Sequence, residues 1–92
     1  MKVILDEQEY EVIKDYKDAF NKEDLTNLYT PYFRDYDYIL GDYAYSKLRL
    51  KGFCNKDNSM LNSINDYENI DEYIKNECAY ECKYFVIKKI EK

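Results

Sequence analysis

The sequence predicts a small α+β domain with an antiparallel or mixed sheet and two helices, in the order ββ–α–ββ–α–β. Three observations lead there. Short runs rich in β-branched and aromatic residues recur along the chain. Two other stretches repeat apolar residues at helical spacing, each behind a capping signal. The two kinds of element do not alternate strictly, which disfavours a parallel sheet built from β–α–β units.

The elements follow in order. Val3 to Leu5 is a short apolar run broken by Asp6-Glu7, and Glu9 to Val12 alternates, so two strands over about 2–5 and 8–14 form a hairpin. Tyr10 and Val12 share the core side, which leaves Ile13 on the opposite face. Residues 18–33 read as a helical region. Asn21 is its N-cap, Asp24 its capping-box partner, and Phe20 and Leu25 take the staple positions. Leu25, Leu28, Tyr29, Tyr32 and Phe33 mark one apolar face. Pro31 ends the helix near Thr30 and opens a second short turn, with Thr30 as cap.

Tyr36 to Leu40 and Tyr43 to Phe53 are strands, and Gly41-Asp42 reads as a two-residue hairpin turn between them. Cys54 to Ser59 is a polar loop, and Met60, Leu61 and Ile64 suggest an amphipathic turn or two. Asn69 and Glu72 form a second capping pair ahead of a helix carrying Ile70, Tyr73, Ile74 and Cys78 on one face. A strand over Cys82 to Ile87, extending toward Ile90, closes the chain.

Ninety-two residues make one domain, 1–92. Seven leucines, eight isoleucines, three valines and four phenylalanines are roughly a quarter of the chain, just above the ~20% below which disorder is the better reading. The 12 tyrosines must therefore supply both core volume and surface. A net charge of −5 opposes bulk attraction to nucleic acid or to an anionic membrane. The N-terminus carries no signal-peptide pattern, and no run is long enough to span a bilayer, so a cytoplasmic location is expected. Three cysteines, an odd number, fit reduced thiols better than a disulfide framework.

The run Tyr36 to Phe53, YDYILGDYAYSKLRLKGF, resembles the core motif of the YutD-like family, small proteins of low-GC Gram-positive bacteria. That motif typically reads Y-D-Y-I-V-G-D-W-x-Y-x-Q-L-R-L-K-G-F. The Cys78 to Ile87 block is similar to the family's C-terminal C-N-F-G-C-x-Y-F-V-L, and Tyr10 to Asn21 fits its start, so the likeness covers nearly the whole chain. Tyr43 stands in place of the usual Trp, Lys47 in place of Gln, and Glu81 in place of Gly. The last change weakens the expectation of a tight turn between the two cysteines. The resemblance implies the fold and a cytosolic bacterial setting. It implies no activity, cofactor or catalytic residue.

With a turn at Gly41-Asp42, one face of the hairpin would carry Tyr36, Tyr38, Leu40, Tyr43, Tyr45, Lys47, Arg49 and Lys51. Rings followed by cations suit stacking on bases beside phosphates, or a protein partner. The candidate binding residues are therefore Tyr43, Tyr45, Lys47, Arg49 and Lys51. The competing reading packs the tyrosines under a helix and leaves the cations as a solvated or edge-guarding row. A register in which Gly41 lies inside a strand would dissolve the platform.

The cysteines are weaker candidates. Cys78 and Cys82 are separated by three residues, not the two usual for zinc, and with no histidine a tetrahedral site would also need Cys54 and a carboxylate. Buried, inert thiols are the plainer reading. A thiol- or metal-dependent protein is the alternative function. Asp35, Asp37 and Asp42 are common turn residues, and no histidine base, phosphate loop or nucleophile elbow is present. The expectation is a non-enzymatic cytosolic interaction module. It would need no cofactor or membrane, no small-molecule substrate is evident, and its partner would be a protein or RNA. The metal question stays open on Cys54, Cys78 and Cys82.

Overall fold

A computed structural model describes residues 1–77 and 82–90. The first hairpin forms as its alternation predicts. β1 (Lys2–Leu5) pairs with β2 (Gln8–Tyr16) in antiparallel register, Leu5 opposite Gln8. Asp6 and Glu7 make the turn at φ 50° and 68°, the left-handed values that match the strand twist. The parity conflict at Ile13 is resolved by a bulge: the pairing of β2 with β5 shifts between Val12 and Lys14. Ile13 is thereby exposed while Tyr10 is fully buried.

α1 (Lys22–Leu28) starts where the cap predicts, with the Asn21 side chain accepting from the Asp24 N–H at 2.9 Å. Asp15 prepares the entry by accepting from the N–H groups of Ala19 and Phe20. The helix stops before Pro31, which sits at the first position of a 3-10 turn, Pro31–Asp35, with Thr30 as its N-cap. β3 (Tyr38–Ala44), β4 (Lys47–Phe53) and β5 (Tyr84–Lys89) complete the strands among the described residues. A 3-10 turn at Tyr67–Asn69 leads into α2 (Ile70–Glu77).

All five strands join one antiparallel sheet in the order β1-β2-β5-β3-β4. The fold is α+β, as predicted. Where one core side was expected, both faces are covered. Leu25 of α1 lies over Val3, Leu5, Tyr10, Ile39, Phe85 and Ile87. Ile70 of α2 lies over Tyr38, Leu40, Phe53 and Val86, with Tyr73 and Ile74 packed alongside.

Residues 54–59 form the expected polar loop, and the stretch around Met60, Leu61 and Ile64 continues as turns with Ile64 exposed, without an amphipathic helical piece. Asparagine side chains replace backbone partners there. Asn62 accepts from the N–H groups of Ile64 and Asn65, Asn65 donates to the Met60 carbonyl, and Asn58 donates to the Asp37 carboxylate at 3.0 Å. Among the described residues, no helix is long and apolar enough to cross a membrane.

Candidate interaction surface at the β3–β4 hairpin

The hairpin does not turn at Gly41-Asp42. Ala44 faces Lys47, Tyr43 faces Leu48, Asp42 faces Arg49 and Gly41 faces Leu50, so the two turn residues are Tyr45 and Ser46, at φ 53° and 66°. Glycine in a strand signals either a turn or a close approach, and here the second applies. Phe85 on β5 lies opposite Gly41, and a Cβ there would stand 2.3 Å from the ring's Cζ. Gly52 is covered in the same way by the ring of Tyr36.

Moving the turn by four residues keeps β4's parity but divides the predicted platform. Ile39, Gly41 and Tyr43 share the α1 side with Leu48, Leu50 and Gly52. Tyr38, Leu40 and Asp42 share the α2 side with Lys47, Arg49, Lys51 and Phe53. Tyr43 is thus on the opposite face from the three cations. Its hydroxyl donates to the Asp24 carboxylate at 2.7 Å, and Lys83 Nζ lies 4.6 Å from its ring centroid. Asp24 therefore serves as acceptor for Tyr43, not as the expected capping-box partner. Burial, reinforced by the bond to Asp24, pushes the Tyr43 hydroxyl up to about 12.

The cations differ in how free they are. Arg49 grips Asp42 through both carboxylate oxygens, Nη2 to Oδ2 at 2.5 Å and Nε to Oδ1 at 3.3 Å, and also donates to the Glu77 carbonyl. The bond to Asp42 holds its guanidinium above the ordinary value. Asp42 itself is buried, so this pair neutralises a carboxylate that would otherwise be costly inside the fold. Lys51 Nζ lies 5.3 Å from both the Phe53 and Tyr73 ring centroids. Lys47, beside the turn, is exposed, and Tyr45 at the tip is 100% exposed. Of the five predicted residues, Tyr45, Lys47 and Arg49 are exposed, and of these Arg49 is tied to Asp42.

A second aromatic and cationic cluster lies on the α2 side of β2 and β5. Tyr16 and Tyr84 are register partners and stack at 5.1 Å, with Lys14 Nζ 5.4 Å from the Tyr84 ring and Lys17 Nζ 5.5 Å from the Tyr16 ring. The sequence alone misses it because it depends on pairing two strands almost seventy residues apart. Its charges already rest on its own rings, and Glu11 lies between Lys88 and the β1 edge.

The cysteines divide as well. Cys54 is free and buried, and burial, followed by the nearby Asp37 carboxylate, raises its thiol above the ordinary value, which is the wrong direction for a nucleophile. Cys82 is disulfide-bonded, which corrects the expectation of reduced thiols throughout. An odd count requires only that one thiol remain over. Cys78 lies outside the described residues. Among the described residues, no group of three or more His, Cys, Asp or Glu side chains is placed to hold a metal ion.

The profile of the family described as "Putative antitoxin YutD-like" matches residues 4–88. The chain belongs to the YutD-like family. A relative described as "Putative antitoxin YutD", from Bacillus subtilis (strain 168), is 38% identical over 90 residues, covering 98% of this chain and 99% of that protein. The solution NMR structure of the protein yutD from B. subtilis superposes with a TM-score of 0.83 at 37% identity, over 100% of this chain and 84% of that one. The YutD-like fold thus extends over the β3–β4 hairpin and both of its faces.

Proposed function

We propose that this chain is a non-enzymatic interaction module that engages a protein partner through the tip of the β3–β4 hairpin, with Tyr45 as the central contact and Lys47 beside it. The observation that carries this reading is the state of Tyr45. Two-residue turns of this type favour Asn-Gly because both central residues need left-handed backbone. A bulky aromatic residue at φ 53° is a conformational outlier, and outliers of this kind cluster at functional sites. The ring is also wholly exposed. Local stability favours asparagine at this position, whereas binding favours tyrosine, a rigid amphipathic ring common among interface hot spots.

The antitoxin description of the relatives is in keeping with a module that acts by holding another molecule. The net charge of −5 favours a protein over a polyanion as that molecule.

Affinity capture from the native host's lysate tests the proposal, run with and without nuclease and repeated with Tyr45→Asn and with Lys47→Glu. The wild-type chain is expected to retain a protein that survives nuclease, and Tyr45→Asn to lose it. Capture abolished by nuclease, or unchanged in both variants, overturns the reading.

A further inference from the structure

β4 is an outer strand of the sheet, and its register assigns its open hydrogen-bonding groups. The residues flanking a two-residue turn exchange close-paired hydrogen bonds, and bonding direction then alternates along each strand. Ala44 and Lys47 flank this turn, so Lys47, Arg49, Lys51 and Phe53 bond inward to β3. The Phe53 carbonyl accordingly accepts from the Asp37 N–H at 3.0 Å. Leu48, Leu50 and Gly52 therefore direct their N–H and C=O groups away from the sheet.

The chain itself uses this edge one step further on. Cys54 donates to the Asn65 carbonyl at 2.7 Å and accepts from the Tyr67 N–H at 3.0 Å, forming a parallel bridge with Asp66. That pairing ends at Cys54. Among the described residues, no strand lies beside 48–52, and the edge is accessible at Leu48 and Leu50, Gly52 being buried.

The edge has a definite chemistry. Its α2 side carries Lys47, Arg49 and Lys51, and its α1 side carries Leu48 and Leu50. Next to Leu50 and Gly52 is a cleft of about 300 Å3 bounded by Tyr32, Tyr36 and Ile64, of which Tyr32 is 66% and Ile64 71% exposed. We propose that β4 accepts an extended segment of a partner protein as a sixth strand. Acidic side chains of that segment face Lys47, Arg49 and Lys51, and apolar ones face Leu48 and Leu50, one of them seated between Tyr32 and Ile64.

Cross-strand neighbours lie on the same face, so the alternation of β4 specifies the inverse alternation in its partner. A second copy of this chain is a poor occupant through its other open edge, because β1 offers Lys2, Val3, Ile4 and Leu5 with no acid among them. A nucleic acid lacks the repeating N–H and C=O groups that this edge matches. The proposal rests on the reading that the partner is a protein.

The test is an NMR titration of the 15N-labelled chain with a capped peptide alternating glutamate and isoleucine over the length of β4. Parallel titrations use the same peptide with lysine for glutamate, the acidic peptide N-methylated at alternate amides, and oligothymidylate. The acidic peptide is expected to shift the Leu48 and Leu50 amides and slow their hydrogen exchange about tenfold or more. The lysine and N-methyl peptides should bind at least tenfold more weakly, and Lys47→Glu should narrow the gap between acidic and basic peptides. No effect of the acidic peptide on β4, equal binding of the lysine peptide, or the same shifts with oligothymidylate overturns the proposal. None of these outcomes depends on Tyr45 or on capturing the native partner, so the edge can fail while the tip reading stands, and the reverse.

Discussion

Gly41 and Tyr45 exchange the roles that their residue types suggest. The glycine lies in ordinary strand backbone and is needed for the space above its Cα, which the Phe85 ring fills. The tyrosine occupies the left-handed position where glycine or asparagine is at home. Gly41→Ala therefore meets ring carbons and not a backbone prohibition, and overpacking of this kind costs roughly 1–3 kcal/mol. Urea denaturation would read this as a lower midpoint with an unchanged slope. A variant as stable as the wild type would mean that the Phe85 contact is looser than described. The same exchange explains why the turn was illegible in the sequence: Gly-Asp is a strong turn signal, Tyr-Ser is a weak one, and the ring that overrides this preference comes from β5.

At the scale of elements, most local signals were legible and long-range ones were not. The local exception is the entry to α2, where Asp66 caps the preceding 3-10 turn in place of the expected Asn69. The Asn21 cap, the stop before Pro31 and the resumption as a short turn at Pro31 are written in neighbouring residues, and the structure follows them. α1 is only seven residues long, too short to be stable by itself, so its cap matters. Asn21→Ala is expected to cost about 1 kcal/mol, measured by thermal or chemical denaturation, with the Tyr43 to Asp24 contact weakened alongside. An unchanged stability would contradict the capping role. By contrast, the bulge at Ile13, the insertion of β5 between β2 and β3, and the stacked Tyr16–Tyr84 pair all depend on which strands become neighbours. Alternation within one strand carries no information on that choice. The predicted platform failed for this reason: three of its five residues kept their common face, but the turn position, fixed by a distant strand, moved Tyr43 to the other.

For the molecule as a whole, tyrosine takes up volume that aliphatic residues leave unfilled, and this ties stability to alkaline pH. Burial, then the bond to Tyr29 at 2.8 Å, raises the Tyr10 hydroxyl far above its ordinary 10.0. The bond to Tyr32, then burial, raises Tyr36 to about 12, and Tyr43 reaches about 12 as well. The fold favours the neutral phenol at each site, so the stability they lend is complete below about pH 10 and is lost as pH rises through 12. Melting temperatures are expected to hold steady up to about pH 10 and fall steeply beyond it, more gently for Tyr36→Phe. A flat profile from pH 9 to pH 12 would contradict the buried-tyrosine account. The fold class, element order and family were legible because they rest on patterning over the whole chain. The candidate site was legible only in part, because Tyr45 and Lys47 stand out by exposure, and Tyr45 also by backbone conformation, which composition does not encode.

The central claim is that Tyr45 is retained for binding against the preference of its own turn. The measurement that addresses it most directly is the Kd of the captured partner for Tyr45→Asn and for the wild-type chain, with Tm recorded on the same samples. The account predicts a Kd weakened at least tenfold, about 1.4 kcal/mol or more, together with a Tm that is unchanged or higher. An equal Kd for the two chains, whatever their Tm, would contradict it.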